Sequence, residues 1–140
     1  DLVINRFMIQ SILEKTITVN GGSQMRPFLH VSDAADSIIF SLENNLQGTF
    51  NVTADNMSIN DVATKVHDLT NCKINISKNE IDKRNYNVSS KKISKKGFIP
   101  KKSIEYAYNE IHKSVINKKF HNYKKPKYDN YEMLYSFKTI

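Results

Sequence analysis

The sequence predicts a single α/β domain of short strands and several helices, and three observations indicate this class. Segments with apolar residues at helical spacing alternate with short β-branched runs, and Gly, Asn or Pro bounds most of them. The length of 140 residues suits one domain, and no internal repeat or low-complexity linker divides it. We expect one domain over residues 1–117 and a basic, aromatic C-terminal tail over residues 118–140, which has no sustained period.

The first elements follow from local pattern. Residues 2–15 are apolar on nearly all sides, which is typical of a helix covered on two faces. Residues 16–19 alternate as a strand, residues 20–22 have turn chemistry, and residues 26–31 are again strand-like. This region is therefore predicted to be a strand, a tight turn and a short strand.

A helix and a strand are predicted next. Ser32 or Asp33 can cap a helix that ends near residues 44–45. Alanine, isoleucine and leucine recur within residues 34–42, so one apolar stripe should face the core. Residues 49–53 are expected to form a strand.

The remaining elements carry clear caps. Residues 58–61 have the S-x-x-D form of a capping box before a core helix, and residues 73–77 alternate as a strand. A short helix is expected over residues 90–96, ended by Gly97. Ser103 should cap the last long helix.

A complete dinucleotide-dependent enzyme is not encoded in these residues. The four glycines, Gly21, Gly22, Gly48 and Gly97, do not have the spacing of a glycine-rich dinucleotide loop. One Tyr-x-x-x-Lys pattern joins Tyr123 to Lys127, but Pro126 between them would remove a backbone donor and clash within a helix. We expect neither a cofactor site nor a catalytic pair here.

The net charge of +7 is unevenly distributed. Residues 1–70 hold four Lys/Arg against eight Asp/Glu, about −4, and residues 71–140 hold seventeen against six, about +11. Clustered lysines bind phosphates through counterion release, so a small basic module for nucleic acid or an anionic surface is one alternative. Solvated lysines in a Lys- and Asn-rich chain need no partner, which makes nucleic acid the weaker interpretation.

Several other classes of function have little support. The chain opens on Asp1 inside an apolar helical pattern, which is typical of a piece of a longer protein. A single Cys72 excludes an internal disulfide framework and fits the cytoplasm. The apolar runs fall short of the roughly 18 residues that span a bilayer, so no membrane is expected. The four histidines and Cys72 have no metal-ligand spacing.

Arg26 is the leading candidate for ligand binding. It follows a glycine turn and precedes Pro27, so a stiff backbone carries its side chain. A guanidinium held in this way suits a diphosphate, because it offers a planar fork of donors and a permanent charge. The structural alternative is an ion pair with Asp33 or Asp36.

The run GGSQMRPFLHVSDAADSII, residues 21–39, resembles a known segment. It is similar to the "R-x-F-x-x-V-x-D" segment in the substrate-binding half of NAD-dependent sugar-nucleotide epimerases and dehydratases, in the extended short-chain dehydrogenase/reductase family. The resemblance implies that Arg26 binds the diphosphate of a sugar nucleotide. His30, inside the run, is interpreted as a packed strand residue and not a base.

A second motif supports the same family. Asp82 and Arg84 precede a short helix and Gly97-Phe98-Ile99-Pro100, which resembles "D-x-R" followed by "L-G-[FWY]-x-P". Lys96 stands where leucine is usual. The resemblance implies that Arg84 reaches the diphosphate or the sugar, and it makes Asn5 and Val19 further contacts to the phosphate and the nucleotide base.

The resemblance covers about residues 1–117 and implies the substrate-binding portion of an enzyme whose dinucleotide-binding half is missing. That half would hold NAD and the catalytic Tyr/Lys, so this fragment alone should be inactive. The implied partners are a nucleotide-diphosphate sugar, the missing N-terminal half and a second copy in a homodimer. A non-catalytic relative that acts as a scaffold is the other alternative.

Overall fold

A computed structural model of the protein describes residues 2–77 and 84–117. Helices and short strands alternate in these ranges, which confirms the predicted α/β class. The elements, in chain order, are α1 (Val3–Leu13), β1 (Thr16–Asn20), β2 (Met25–Phe28), α2 (Val31–Glu43), β3 (Asp55–Ser58), α3 (Ile59–Thr70), β4 (Lys73–Ser77), α4 (Lys91–Ser94) and α5 (Ile104–Ile116).

The four strands form two separate two-stranded sheets. β1 pairs with β4 in parallel, from Thr16 opposite Lys73 onward, and β2 pairs with β3 antiparallel, with Arg26 opposite Met57. β1 and β2 are therefore not partners across a tight turn, although their sequence suggested strand, turn and strand.

A locked bend between β1 and β2 explains why they separate. The Gln24 side chain accepts the Gly22 N–H at 2.6 Å and donates to the Asn20 carbonyl at 2.9 Å. Gly22 has a φ of 119°, and a Cβ there would lie 2.0 Å from the Asn60 side-chain oxygen. The bend thus needs glycine and sends β2 toward β3.

The hydrophobic core lies where α1 and α3 pack on β1. α5 covers α1 from another side, and its half-buried residues Ile104, Ala107 and Ile111 complete the cluster. The fully buried members of this core include Phe7, Met8, Ile17, Val19, Val62, Val66 and Cys72.

The sequence suggested that the apolar face of α2 packs on the rest of the domain. In the structure the polar face packs there instead. Ile38, Ile39 and Leu42 are 63%, 52% and 72% exposed, whereas Asp33 and Ser37 are buried. The polar face can be buried because its groups are hydrogen-bonded, as at Ser37, whose hydroxyl donates to the Ala34 carbonyl at 2.7 Å. The prediction that the apolar stripe faces the core of this chain is wrong.

Residues 49–53 form no strand in the part of the chain that the structure describes. The Thr53 N–H bonds to the Ser90 hydroxyl at 2.6 Å, and the Lys92 ammonium bonds to the Thr49 carbonyl at 2.7 Å. A strand requires a ladder of main-chain bonds to a neighbouring strand. This segment contacts β2 at its end, where the Thr53 hydroxyl donates to the Phe28 carbonyl at 3.0 Å. The strand prediction was therefore wrong for these ranges.

The predicted caps of the later helices are confirmed. Ser58 and Asp61 form a reciprocal capping box at α3, and the Ser103 hydroxyl accepts the Tyr106 N–H at the start of α5. Gly97 follows α4 with a φ of 105°. Within residues 2–77 and 84–117, the helices are too short or too polar to cross a membrane.

Candidate functional site

A cavity of about 710 Å³ lies between the start of α1, strand β2 and the start of α5. Arg26 enters it from β2, and Arg84 and Tyr86 enter it from the segment before α4. The two arginines come from separate motifs, 58 residues apart, and both line this cavity.

Arg26 is held by contacts to main-chain oxygens and to one ring. Its Nη1 donates to the Met25 carbonyl at 2.7 Å and to the carbonyl of Arg84. The guanidinium carbon lies 5.4 Å from the centroid of the Tyr86 ring, within range of a cation–π contact. These contacts fix the plane of the guanidinium fork at the wall of the cavity.

The segment that carries Arg84 runs along the edge of β2. The Asn85 side-chain oxygen accepts the Met25 N–H at 2.9 Å, and the Tyr86 N–H points to the Met25 carbonyl at 3.5 Å. Arg84 is exposed and faces the same cavity as Arg26. Asp82, the other residue of that motif, lies outside the described residues.

The two remaining candidate ligands have different surroundings. Asn5 is exposed in the first turn of α1 and lines the cavity. The Val19 side chain is fully buried in the core, and Val19 is opposite Ile76 in the parallel sheet. Val19 is not among the described residues that line the cavity, so its contact with a nucleotide base stays a prediction.

His30 has a structural role that the sequence interpretation missed. It is the N-cap of α2, in place of the expected Ser32 or Asp33, and its Nδ1 accepts the Ser32 N–H at 3.2 Å. Because Nδ1 is an acceptor, Nε2 carries the hydrogen and donates to Glu110 at 2.9 Å. A histidine can replace serine as a cap because its ring nitrogen reaches the same N–H.

The Asp33 carboxylate is held by main-chain N–H groups and not by an ion pair with Arg26. Its two carboxylate oxygens accept the N–H groups of Lys101 at 3.0 Å and Lys102 at 2.8 Å. This places Lys102 beside the cavity, with its ammonium 4.2 Å from the centroid of the Tyr106 ring. The sequence did not single out Lys102, because its position depends on a contact 69 residues away.

The cavity carries an excess of positive charge. Among the described residues, four cationic side chains and two carboxylates line it, which favours an anionic ligand. The cations are Arg6, Arg26, Arg84 and Lys102, and the carboxylates are Asp55 and Glu110.

Glu105 lies at the first turn of α5, next to the cavity-lining Ser103. A hydrogen bond from the Ser103 side chain lowers the pKa of the Glu105 carboxyl, so this carboxyl keeps its charge at the helix N-terminus. Among residues 2–77 and 84–117, no group of three or more His, Cys, Asp and Glu side chains could hold a metal ion.

Comparison with known proteins confirms the resemblance seen in the sequence. The model of the NAD dependent epimerase/dehydratase family matches residues 2–53, which include Asn5, Val19 and Arg26. No curated protein matches the chain. Several solved structures share its fold.

RMD from Pseudomonas aeruginosa, complexed with NADPH, superposes with a TM-score of 0.67 at 19% identity, over 80% of this chain and 41% of that one. UDP-glucose 4-epimerase from Thermus thermophilus, with NAD, gives 0.63 at 18% identity, over 78% and 39%. GDP-L-fucose synthetase from Naegleria fowleri gives 0.65 at 16% identity, over 83% and 39%.

These similarities show that the chain shares its fold with part of each of these three structures. The chain spans about two fifths of the length of the solved structures that it matches.

Proposed function

We propose that this chain is the C-terminal, substrate-binding portion of an NAD-dependent nucleotide-sugar epimerase or dehydratase. Its role is to bind the diphosphate and the sugar of the substrate. The observation that carries the proposal is the meeting of Arg26 and Arg84, from two separate motifs, at one cavity with excess positive charge.

The chemistry of the pair suits a diphosphate. A guanidinium offers parallel N–H donors that match two phosphate oxygens, and it remains charged at every physiological pH. Carbonyl contacts and the Tyr86 ring orient Arg26 before a ligand arrives, which reduces the entropy lost on binding. Asn5 is assigned to the phosphate and Val19 to the nucleotide base.

A missing N-terminal half accounts for two unusual features. The apolar face of α2 is exposed, and residues 49–53, which follow α2 after a short connection, form no strand within the described ranges. A helix with an exposed apolar face, followed by a strand-like sequence that has no ladder here, fits the edge of a larger sheet with a helix packed across it. We assign NAD and the catalytic Tyr/Lys to the missing half, in line with the NAD and NADPH complexes among the structural neighbours.

Further parts of the proposal concern the whole protein. The neighbours include a UDP-glucose 4-epimerase and a GDP-L-fucose synthetase, which supports a nucleotide sugar as the substrate class. The buried, unpaired thiol of Cys72 fits a reducing compartment, so we place the protein in the cytoplasm. A homodimer stays a prediction.

Calorimetric titration of the complete protein with UDP, GDP and ADP tests the proposal. Arg26→Ala should weaken binding of the tightest of these by roughly 1.5 to 3 kcal/mol, the scale for a hydrogen bond to a charged group. Lys96→Ala is the control, because Lys96 is exposed and is not among the residues lining the cavity. An unchanged dissociation constant for folded Arg26→Ala would contradict the proposal.

The basic second half of the chain supports one competing function, nucleic-acid binding, which can be tested separately. If the protein is a nucleic-acid module, an unrelated oligonucleotide should bind with a steep salt dependence, since lysine–phosphate binding releases counterions. Arg26→Ala would then have no larger effect on oligonucleotide binding than Lys96→Ala.

A further inference from the structure

Asn56, in β3, forms two hydrogen bonds with the segment that carries Arg84. Its side-chain nitrogen donates to the Val88 carbonyl at 2.9 Å, and its side-chain oxygen accepts the Val88 N–H at 2.7 Å. A side-chain amide that satisfies both groups of one residue imitates the main chain of a neighbouring strand. The segment is thereby joined to the β2–β3 sheet although it forms no strand itself.

Two further side-chain contacts flank this one, the first of them also with both main-chain groups of one residue. The Ser90 hydroxyl accepts the Thr53 N–H at 2.6 Å and donates to the Thr53 carbonyl at 2.9 Å. On the other side, Asn85 accepts the Met25 N–H. Residues 84–90 precede α4 and have no regular structure of their own, so these side-chain bonds, together with the Tyr86 N–H that points to the Met25 carbonyl, determine where they lie.

The segment contributes two of the contacts that orient Arg26 in the site described above; another is with the Met25 carbonyl of β2. The segment supplies the Arg84 carbonyl that accepts from Arg26 Nη1, and it supplies the Tyr86 ring beside the guanidinium. If the segment shifted, the acceptor and the ring would shift with it.

Asn56 itself lies away from the ligand cavity. It lines a second cavity of about 540 Å³, together with Thr53, Val88 and Ser90, and it is not among the described residues that line the first. A substitution at Asn56 therefore removes no group that faces the proposed ligand.

We propose that Asn56 is a positioning residue for the anion site, acting on Arg26 through the bidentate contact with Val88. The inference rests on the proposed function, because it takes Arg26 as the group that binds the diphosphate. It assigns diphosphate affinity to a residue outside the two arginine motifs.

A double-mutant cycle tests the inference. The complete protein, Asn56→Ala, Arg26→Ala and the double variant are titrated with the tightest binder among UDP, GDP and ADP. Asn56→Ala should weaken binding about tenfold, the scale of one or two lost hydrogen bonds, and should add little in the Arg26→Ala background. Asn87→Ala is the control, because Asn87 is an exposed residue of the same type next to Val88.

A second readout follows the segment itself. Hydrogen exchange of residues 84–90 should accelerate in Asn56→Ala and stay unchanged in Asn87→Ala. If Asn56→Ala does not fold, Asn85→Ala loosens the same segment at Met25 and should weaken binding in the same direction.

The outcomes separate the two proposals. If Arg26→Ala leaves affinity unchanged, the diphosphate site is wrong and the positioning role falls with it. If Arg26→Ala loses affinity but folded Asn56→Ala does not, or if the two losses simply add, only the positioning role is wrong.

Discussion

The buried carboxylate of Asp33 accepts the main-chain N–H of Lys102 at 2.8 Å. A second bond, from the Lys101 N–H, uses the other oxygen, so the first turn of α2 is tied to the segment before α5. Lys102 and the start of α5 both border the cavity. A residue that seemed a candidate ion-pair partner of Arg26 therefore shapes the opposite wall of the site.

Because of this contact, we expect a nearly isosteric substitution of Asp33 to lower the stability of the fold strongly. Asp33→Asn would turn one acceptor into a donor that faces an N–H, so the free energy of unfolding should fall by about 1–3 kcal/mol. Asp36→Asn is the matched control, because Asp36 is exposed on the same helix. Urea unfolding of both variants checks the prediction, and equal midpoints would contradict it.

Because the apolar face of α2 is exposed, we expect a polar substitution there to have different effects on stability in the isolated chain and in the complete protein. Ile38→Gln should leave the stability of the isolated chain within about 0.5 kcal/mol, since surface substitutions have small effects. In the complete protein the same change should cost about 1–3 kcal/mol, because a covered isoleucine would be replaced by a polar group. Thermal unfolding of both forms, with Asp36→Asn as an exposed control on the same helix, measures the difference. A large loss in the isolated chain would place Ile38 in its own core.

The isolated chain should neither turn over nucleotide sugars nor bind NAD usefully. The physical reason is that Gly21, Gly22, Gly48 and Gly97 do not have the spacing of a dinucleotide loop, and that the Tyr-x-x-x-Lys pattern from Tyr123 to Lys127 contains Pro126. Absorbance at the reduced-nicotinamide band and calorimetry with NAD are suitable measurements. NAD-dependent turnover by this polypeptide alone would contradict the assignment of NAD and the catalytic Tyr/Lys to the missing half.

Local signals in the sequence were sufficient where a few neighbouring residues determine the structure. The capping box at Ser58, the cap at Ser103 and the glycine after α4 all depend on short-range geometry. The Arg26 and Arg84 motifs were likewise readable, because each is contiguous. Their meeting in one cavity was implied by the resemblance and is now visible as a contact between Arg26 and the Arg84 carbonyl.

Long-range contacts could not be read from the same pattern. Periodicity identifies an apolar stripe on α2 but does not say whether this chain covers it, so Ile38 was assigned to the core although it is 63% exposed. Residues 49–53 have strand propensity, yet a strand depends on a partner elsewhere in the chain. The cap at His30 and the roles of Asn56 and Lys102 depend on distances that no local spacing encodes.

The capping box at α3 predicts a pH-dependent contribution to stability. Hydrogen bonds from the Ser58 hydroxyl and the Ser58 N–H hold the pKa of the Asp61 carboxyl below its ordinary value of 3.8. A lowered folded-state pKa means that the ionised carboxylate stabilises the fold above about pH 4, and that this contribution is lost as the pH falls through the folded-state pKa.

Ser58→Ala tests this contribution, because it removes the hydroxyl that bonds to Asp61 and accepts the Asp61 N–H. At pH 7 the free energy of unfolding should fall by about 1 kcal/mol, as for other lost serine caps. The gap between wild type and variant should narrow as the pH falls below 4, since wild type alone loses the full effect of the bonded carboxylate. Carboxyl-carbon NMR should find the Asp61 pKa closer to its ordinary value in the variant, and Ser23→Ala, at an exposed site, should change neither quantity. If the difference in free energy of unfolding between wild type and Ser58→Ala stays constant down to pH 3, the loss of stability comes from the uncapped Asp61 N–H alone. The Asp61 carboxylate would then make no contribution.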